Sequence, residues 1–151
     1  MLQTIAGYHQ DDDSDWVAEL ACRHGQHVRH KPPFFERAWV TTEEGRRSML
    51  GTCLDCVRCD RLEMPEGLVP YSKTKIFDAI DVPERLLTSH RTKEGVWAQI
   101  HVVSGRLRYV VDSTPSCTFD LDAGHPGVIA PAAPHHVELD GPVRFFVEFH
   151  R

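Results

Sequence analysis

Residues 53–60 read CLDCVRCD, and they dictate how the N-terminal part of this chain folds. They contain the pair Cys56-x-x-Cys59, a spacing that places two sulfur atoms on one metal ion. A second cluster of metal-ligand side chains lies upstream in residues 22–30, CRHGQHVRH. Thiolate sulfur and imidazole nitrogen are the ligands that closed zinc sites use. We therefore predict that residues 22–59 form a zinc-binding module.

The two clusters offer more ligands than the four that a structural zinc ion takes. The candidates are Cys22, His24, His27, His30, Cys56 and Cys59. We predict that Cys22 and either His24 or His27 join the Cys56-x-x-Cys59 pair, with Cys53 as an alternative because Cys-x-x-Cys occurs twice in overlapping form. A redox role for the pair fits less well, because redox motifs open a helix in a βαβ setting.

The rest of this module is predicted to be small. Thr4–His9 and Trp16–Cys22 read as a β-hairpin around an acidic turn. Thr42–Leu50 reads as a short helix that begins at the capping-box pattern Thr41-x-x-Glu44 and ends near Gly51. So little core is available that zinc would supply folding free energy directly, on the order of 10 kcal/mol. A closed Cys/His site of this kind is structural rather than catalytic.

Composition excludes several classes of function. The formal net charge of −5 argues against a nucleic-acid-binding protein, which usually carries a basic excess. No apolar run approaches the roughly 18 residues of a membrane span, and the first residues lack the features of a signal peptide. We therefore expect a cytoplasmic, reducing setting and no membrane partner. In that setting, clustered cysteines are metal ligands more often than disulfides.

The sequence changes character at residues 60–70, DRLEMPEGLVP, which read as a linker. We predict two domains, residues 1–64 and 65–151. The second consists mainly of short strands, which predict an antiparallel β-barrel or jelly roll. Ser104-Gly105 is predicted to turn a hairpin between two of them. The predicted strands are Val96–Val103, Leu107–Val111, Cys117–Leu121, Gly127–Ala130 and Val143–Phe149.

Two histidines of the second domain are candidate site residues. His90 precedes a predicted strand, and His135 follows the turn Pro131-Ala-Ala-Pro134 after another. Loops of this kind meet at the mouth of a small β-barrel, where ligand sites occur. Further candidates are His101, His136 and Glu138.

Residues 4–60 resemble a small bacterial family without a known activity. The resemblance implies a metal-binding module, and Cys53 is not part of its pattern. It rests on His9-Gln10-Asp11, Trp16-Val-Ala-Glu-Leu20, Cys22-x-His24-x-Gln26-His27-Val28-Arg29-His30, Pro32-Pro33, Arg37-x-Trp39-Val40 and Leu54-x-Cys56-x-x-Cys59-Asp60.

Residues 66–151 resemble the cupin-like domain of TehB-type tellurite-resistance proteins. The resemblance rests on Leu68-x-Pro70-Tyr71-x-x-Thr74, Phe77-Asp78, Pro83, His90-Arg-Thr-Lys93-Glu-Gly95-Val-Trp97, Gly127-Val-Ile-Ala-Pro131-Ala-Ala-Pro134-His135-His136-Val137-Glu138 and Phe145-Phe-Val-Glu-Phe149.

This second resemblance implies a cupin barrel, a homodimer and a role in tellurite or other oxyanion stress. It also implies a second metal, zinc or iron, held by His90 and His135. The ligand set departs from the usual cupin pattern, because Ala98 stands roughly where a metal-binding Glu would be expected.

Three functions stay open from the sequence. The first is a metal-binding stress-response protein that holds a small molecule or oxyanion in the barrel. The second is a metal-dependent cupin enzyme of the dioxygenase or isomerase type, for which no catalytic residue is assigned. The third is an interaction module built on the zinc unit.

Overall fold

The structure, a computed structural model, describes residues 1–28 and 37–151. The chain divides into two compact units, Met1–Arg61 and Leu62–Arg151. The boundary predicted between residues 64 and 65 lies just past this division and stays a prediction. The fold is mainly β with antiparallel sheets, which confirms the predicted class. Within the described ranges, no helix has both the length and the hydropathy needed to span a bilayer.

The N-terminal unit is built on a four-stranded antiparallel sheet. Its strands are β1 (Leu2–Gln10), β2 (Trp16–Leu20), β3 (Gly25–His27) and β4 (Cys53–Asp55). Their order in the sheet is β3-β2-β1-β4. The predicted hairpin of β1 and β2 is confirmed, with Gln10 opposite Trp16 at its closed end. The acidic turn is held by Asp11, whose carboxylate accepts hydrogen bonds from the backbone N–H groups of Asp13 and Asp15.

Three short helical segments complete this unit: a 3-10 turn (Ala38–Thr41), α1 (Glu43–Met49) and α2 (Val57–Asp60). The predicted helix over Thr42–Leu50 is confirmed to within one residue at each end. The predicted capping residue is wrong by one position. Thr42, not Thr41, is the N-cap, and its Oγ1 accepts from the Gly45 N–H at 3.1 Å. Thr41 instead donates to the Ala38 carbonyl and closes the 3-10 turn.

Gly45 gives a prediction that runs against helix propensity. Alanine is normally favoured over glycine inside a helix by about 1 kcal/mol. At Gly45, however, a Cβ would overlap the Trp39 carbonyl oxygen and would lie 2.9 Å from its carbon. We expect Gly45→Ala to destabilise the unit by about 2 kcal/mol through overpacking. Urea unfolding followed by tryptophan fluorescence measures this, and a gain in stability would contradict it. Glu44→Ala, at an exposed position of the same helix, is the matched control.

The C-terminal unit contains two antiparallel sheets. Their strands are β5 (Pro70–Lys73), β6 (Phe77–Asp78), β7 (Trp97–Gly105), β8 (Leu107–Val111), β9 (Cys117–Leu121), β10 (Gly127–Ile129), β11 (His135–Glu138) and β12 (Val143–His150). The larger sheet has the order β10-β7-β12-β5, with β6 also paired to β12, and the smaller has the order β11-β8-β9. A one-turn helix, α3 (Glu84–Leu87), lies between β6 and β7 in the sequence.

The five strands predicted in this unit are all present, but one predicted connection is wrong. β7 and β8 do not form a hairpin, because β7 pairs with β10 and β12 while β8 pairs with β9 and β11. Gly105 is where the chain leaves one sheet for the other. Its φ of +81° and the Pro142 carbonyl oxygen, which a Cβ would overlap, explain the glycine without a hairpin.

The core of the C-terminal unit is formed from both sheets. Trp97 and Phe145 from the larger sheet and Tyr109 from the smaller one have no solvent exposure. Side chains alternate along β12, so that Phe145 and Val147 are buried between less buried neighbours. The jelly-roll connectivity of a cupin stays a prediction.

Candidate metal centre and candidate ligand cavity

Four buried side chains meet in the N-terminal unit: Cys22, His24, Cys56 and Cys59. Cys22 and His24 lie in the turn between β2 and β3, and Arg23 between them has a φ of +68°. Cys56 follows β4 as the N-cap of α2, which carries Cys59. Two segments distant in sequence therefore bring one ligand pair each to the same point.

The geometry of these four residues is compact. The His24 Nδ1 atom lies 3.6 Å from the Sγ of Cys22, 3.3 Å from that of Cys56 and 3.6 Å from that of Cys59. The sulfur atoms of Cys22 and Cys56 are 3.9 Å apart. One potential ligand atom from each residue lies within 4.8 Å of the others. The group can hold a four-coordinate metal ion.

The pKa values of the three thiols show how much negative charge this group holds without a cation. A hydrogen bond from the Cys59 thiol lowers the pKa of Cys22 to about 6. The same hydrogen bond raises the pKa of Cys59, and burial raises the pKa of Cys56. One thiolate therefore forms readily, whereas further negative charge is unfavourable unless a positive ion offsets it.

The other candidates of the N-terminal unit lie outside this group. His27 is exposed, and its Nε2 lies 3.5 Å from the carboxylate of Asp11. Together with Asp15 these two residues form a separate, partly exposed group. Cys53 is exposed. His30 lies outside the described residues, as do Pro32-Pro33.

The C-terminal unit contains a cavity of about 550 Å³ between its two sheets. Both sheets contribute to its apolar lining. The lining includes Phe77, Ile100, Ile129, Phe145 and Val147 of the larger sheet and Val137 of the smaller one. A volume in this range accommodates an organic molecule.

His90 and His135 both line this cavity and are in contact with each other. Their backbones form a two-hydrogen-bond bridge with both distances at 2.9 Å, and their ring centroids are 4.2 Å apart. The sequence-predicted pair is therefore brought together.

Hydrogen bonds fix the tautomer of both rings. The His90 Nδ1 is 3.0 Å from the Thr88 carbonyl oxygen, and the His135 Nδ1 is 2.8 Å from that of Ala133. Carbonyl oxygens only accept, so each Nδ1 carries the proton. Burial lowers the pKa of His135 to about 4, so this ring is neutral at pH 7. In a neutral ring the Nε2 atom is then a hydrogen-bond acceptor.

Among the described residues, the charged side chains of the cavity lining are all positive: Arg85, Arg91 and Lys93. No Asp or Glu in this part of the chain lines the cavity or forms an ion pair with these three side chains. Sequence reasoning missed the three cationic residues as site residues. Arg91 and Lys93 lie one and three residues after His90, a proximity that could have identified them, whereas Arg85 had no such signal.

The three further candidates of this unit do not line the cavity. His101 stacks on Phe146, with its Nε2 3.9 Å from the Glu148 carboxylate. His136 is hydrogen-bonded to Asp112. Glu138 is an exposed partner of Arg108.

The fold and the cavity define a small antiparallel β protein with an internal cavity, joined to a Cys/His module. The sequence model of the TehB-like domain family matches residues 72–147, and the chain belongs to this family. Residues 6–63 match DUF3565, a family of proteins of unknown function. No curated protein sequence is significantly similar to this chain.

Two solved structures share the fold. A crystal structure of an E. coli K12 protein is 18% identical with a TM-score of 0.54, covering 59% of this chain and 95% of that one. The crystal structure of TehB from Haemophilus influenzae is 21% identical with a TM-score of 0.51. That match covers 56% of this chain and 32% of TehB, so this chain corresponds to only part of TehB.

Proposed function

We propose that this protein is a stress-response protein of the tellurite-resistance type, which binds a small anionic molecule in the cavity of its C-terminal unit. A structural zinc ion holds its N-terminal unit together. The observation that carries the proposal is the cavity lining, in which three cations and two histidines surround an apolar interior and no acidic side chain of the described residues takes part.

The distances among the Cys/His group support zinc as the metal. With Zn–S bonds of about 2.3 Å and Zn–N bonds of about 2.0 Å, a tetrahedron has S···S edges of about 3.8 Å and S···N edges of about 3.5 Å. The corresponding distances here are 3.9 Å for one sulfur pair and 3.3–3.6 Å for nitrogen to sulfur. Four protein ligands leave no open position, which favours a structural role.

Charge supports an anionic ligand. The cationic groups of Arg85, Arg91 and Lys93 are exposed at the cavity, where an arriving anion would replace water as their partner. The cupin fold and a homodimer are part of the same proposal. So is a cytoplasmic setting, which is supported by the five cysteines, none of which is in a disulfide.

A metal-dependent enzyme is the second candidate function. It is favoured by the fixed tautomers of His90 and His135, since metal-binding histidines usually donate their other N–H to a carbonyl or carboxylate. It needs a third protein ligand. Among the described residues, no Cys, Asp, Glu or further His joins this pair within 4.8 Å.

Metal analysis separates the two candidates. We expect one zinc ion per chain, unchanged in His90→Ala, because the bound ion belongs to the N-terminal group. A second metal ion that is lost in both His90→Ala and His135→Ala would favour the enzyme instead.

Anion binding tests the proposed function itself. In calorimetry with tellurite, phosphate and short carboxylates, we expect at least one anion to bind, and Arg91→Met to weaken it about fivefold. Arg106→Met, at an exposed arginine that does not line the cavity, is the matched control. Absence of binding by every anion would contradict the proposal.

A further inference from the structure

The size of the cavity restricts the kind of anion that it can bind. A bare inorganic oxyanion is only a few times larger than a water molecule, whose share of liquid volume is about 30 Å³. The cavity volume of about 550 Å³ would leave most of the space around such an ion unfilled by ligand. A cavity of this size matches a larger molecule that covers the apolar surface.

The interior chemistry points in the same direction. Leu86, Val96 and Phe149 line the cavity and are only half-buried, so part of their apolar surface contacts solvent. An apolar ligand body gains free energy by covering such side chains, whereas an oxyanion would lose its hydration there. The anionic group of the ligand therefore belongs beside the exposed cations Arg91 and Lys93, with the apolar body inside.

His135 sets a third requirement. Its Nδ1–H group is used by the carbonyl oxygen of Ala133, so the neutral ring offers an acceptor at Nε2. A carboxylate placed against this acceptor would be repelled, while a hydroxyl or N–H group would donate to it.

We infer that the ligand of this cavity is an organic acid with an apolar body, which also carries a hydroxyl or N–H group that donates to the Nε2 atom of His135. The inference rests on the proposed function, that the cavity binds a small anion, and it names the class of that anion. Its three parts correspond to the cationic residues, the apolar interior and His135.

Calorimetry on the full chain tests the first two parts with butanoate, hexanoate and octanoate as probes, and with 1-octanol and tellurite for comparison. Each added methylene should tighten Kd about threefold to fourfold. Octanoate should bind more tightly than both octanol and tellurite. Arg91→Met should reduce the preference for octanoate over octanol, whereas Arg106→Met should leave it unchanged. A flat chain-length series, or tighter binding of tellurite, would overturn the inference.

The third part is tested with the positional isomers of hydroxyoctanoate. At least one isomer should bind as tightly as octanoate, because a hydroxyl group with an acceptor is not left unsatisfied. In His135→Asn, whose shorter side chain removes the ring Nε2 atom, that isomer should bind about tenfold more weakly than octanoate. This part is contradicted if every isomer binds the unaltered chain more weakly than octanoate does, or if the variant binds the best isomer as tightly as octanoate.

The same titrations test the class of ligand separately from anion binding itself. If tellurite or phosphate binds and no octanoate derivative does, the inference fails while the proposed function stands. If no anion binds, both fail.

Discussion

If the Cys/His group holds the proposed zinc ion, replacing Cys59 with Ser is expected to release that ion and to unfold the N-terminal unit. Structural zinc contributes on the order of 10 kcal/mol to folding, which is comparable to the total stability of a whole domain. Serine is not a zinc ligand of useful strength at neutral pH, so the variant loses one of the four bonds of a closed site. Chelation of the metal in the unaltered chain should have the same effect.

The arrangement of the unit explains why the effect is so large. The four proposed metal ligands connect the turn between β2 and β3 with the end of β4 and the start of α2. Among the residues of this unit that the structure describes, the buried apolar side chains outside the Cys/His group are all aliphatic: Ile5, Val17, Ala18, Leu20, Val28, Val40 and Leu54. Burial of this set alone gives a marginal domain, as for other very small units.

Fluorescence of Trp16 and Trp39, in a chain with Trp97→Phe, follows the N-terminal unit during titration with a chelator. We expect loss of structure to coincide with release of one zinc ion per chain, and added zinc to restore it. Cys53→Ser is the matched control, because this exposed cysteine lies outside the ligand group. A metal-free Cys59→Ser chain with an intact N-terminal unit would disprove the prediction.

The sequence identified the metal-ligand types but could not choose between His24 and His27. The choice depends on the turn in which Arg23 adopts a φ of +68°. This conformation is uncommon for a residue other than Gly, Asn or Asp, so an arginine gives no sign of it. In the structure His24 is buried in the ligand group while His27, at the end of β3, is exposed.

In the C-terminal unit, local pattern located the strands but not all of their partners. Ser104-Gly105 between two strands has the composition of a hairpin turn, yet Gly105 lies opposite Val143 of β12 in the larger sheet. A glycine required by close backbone approach and one required by a turn look the same in sequence. The histidine pair was predictable from its loops, whereas the cavity and the position of Arg85 depend on long-range packing.

The second large effect is expected from pH. The free energy of unfolding of the C-terminal unit should fall by about 3 kcal/mol as the pH decreases from 6.5 to 4. The cause is His135, whose pKa is lowered to about 4 in the folded protein, mainly by burial. The hydrogen bond to Ala133 and the field of Asp112 oppose this shift, and the neighbouring His90 and His136 add to it.

The sign follows from proton uptake. Between pH 6.5 and 4 the unfolded chain binds a proton at His135 that the folded chain does not bind, so acidification favours unfolding. Above pH 6.5 the ring is neutral in both states, and below pH 4 it is protonated in both. The contribution of His135 to pH dependence is therefore confined to this window.

His135→Asn separates this effect from that of the carboxylates, because its amide can donate to the Ala133 carbonyl oxygen without titrating. Urea unfolding, followed by Trp97 fluorescence in a chain with Trp16→Phe and Trp39→Phe, measures the free energy at each pH. We expect a lower but nearly pH-independent stability in the variant between pH 6.5 and 4. His125→Gln, at an exposed histidine of the same unit, should keep most of the original slope, because only the exposed Asp122 carboxylate loses a partner. If the unaltered chain is equally stable at both ends of the window, His135 is not buried as a neutral ring, and the acceptor role assigned to its Nε2 loses its basis.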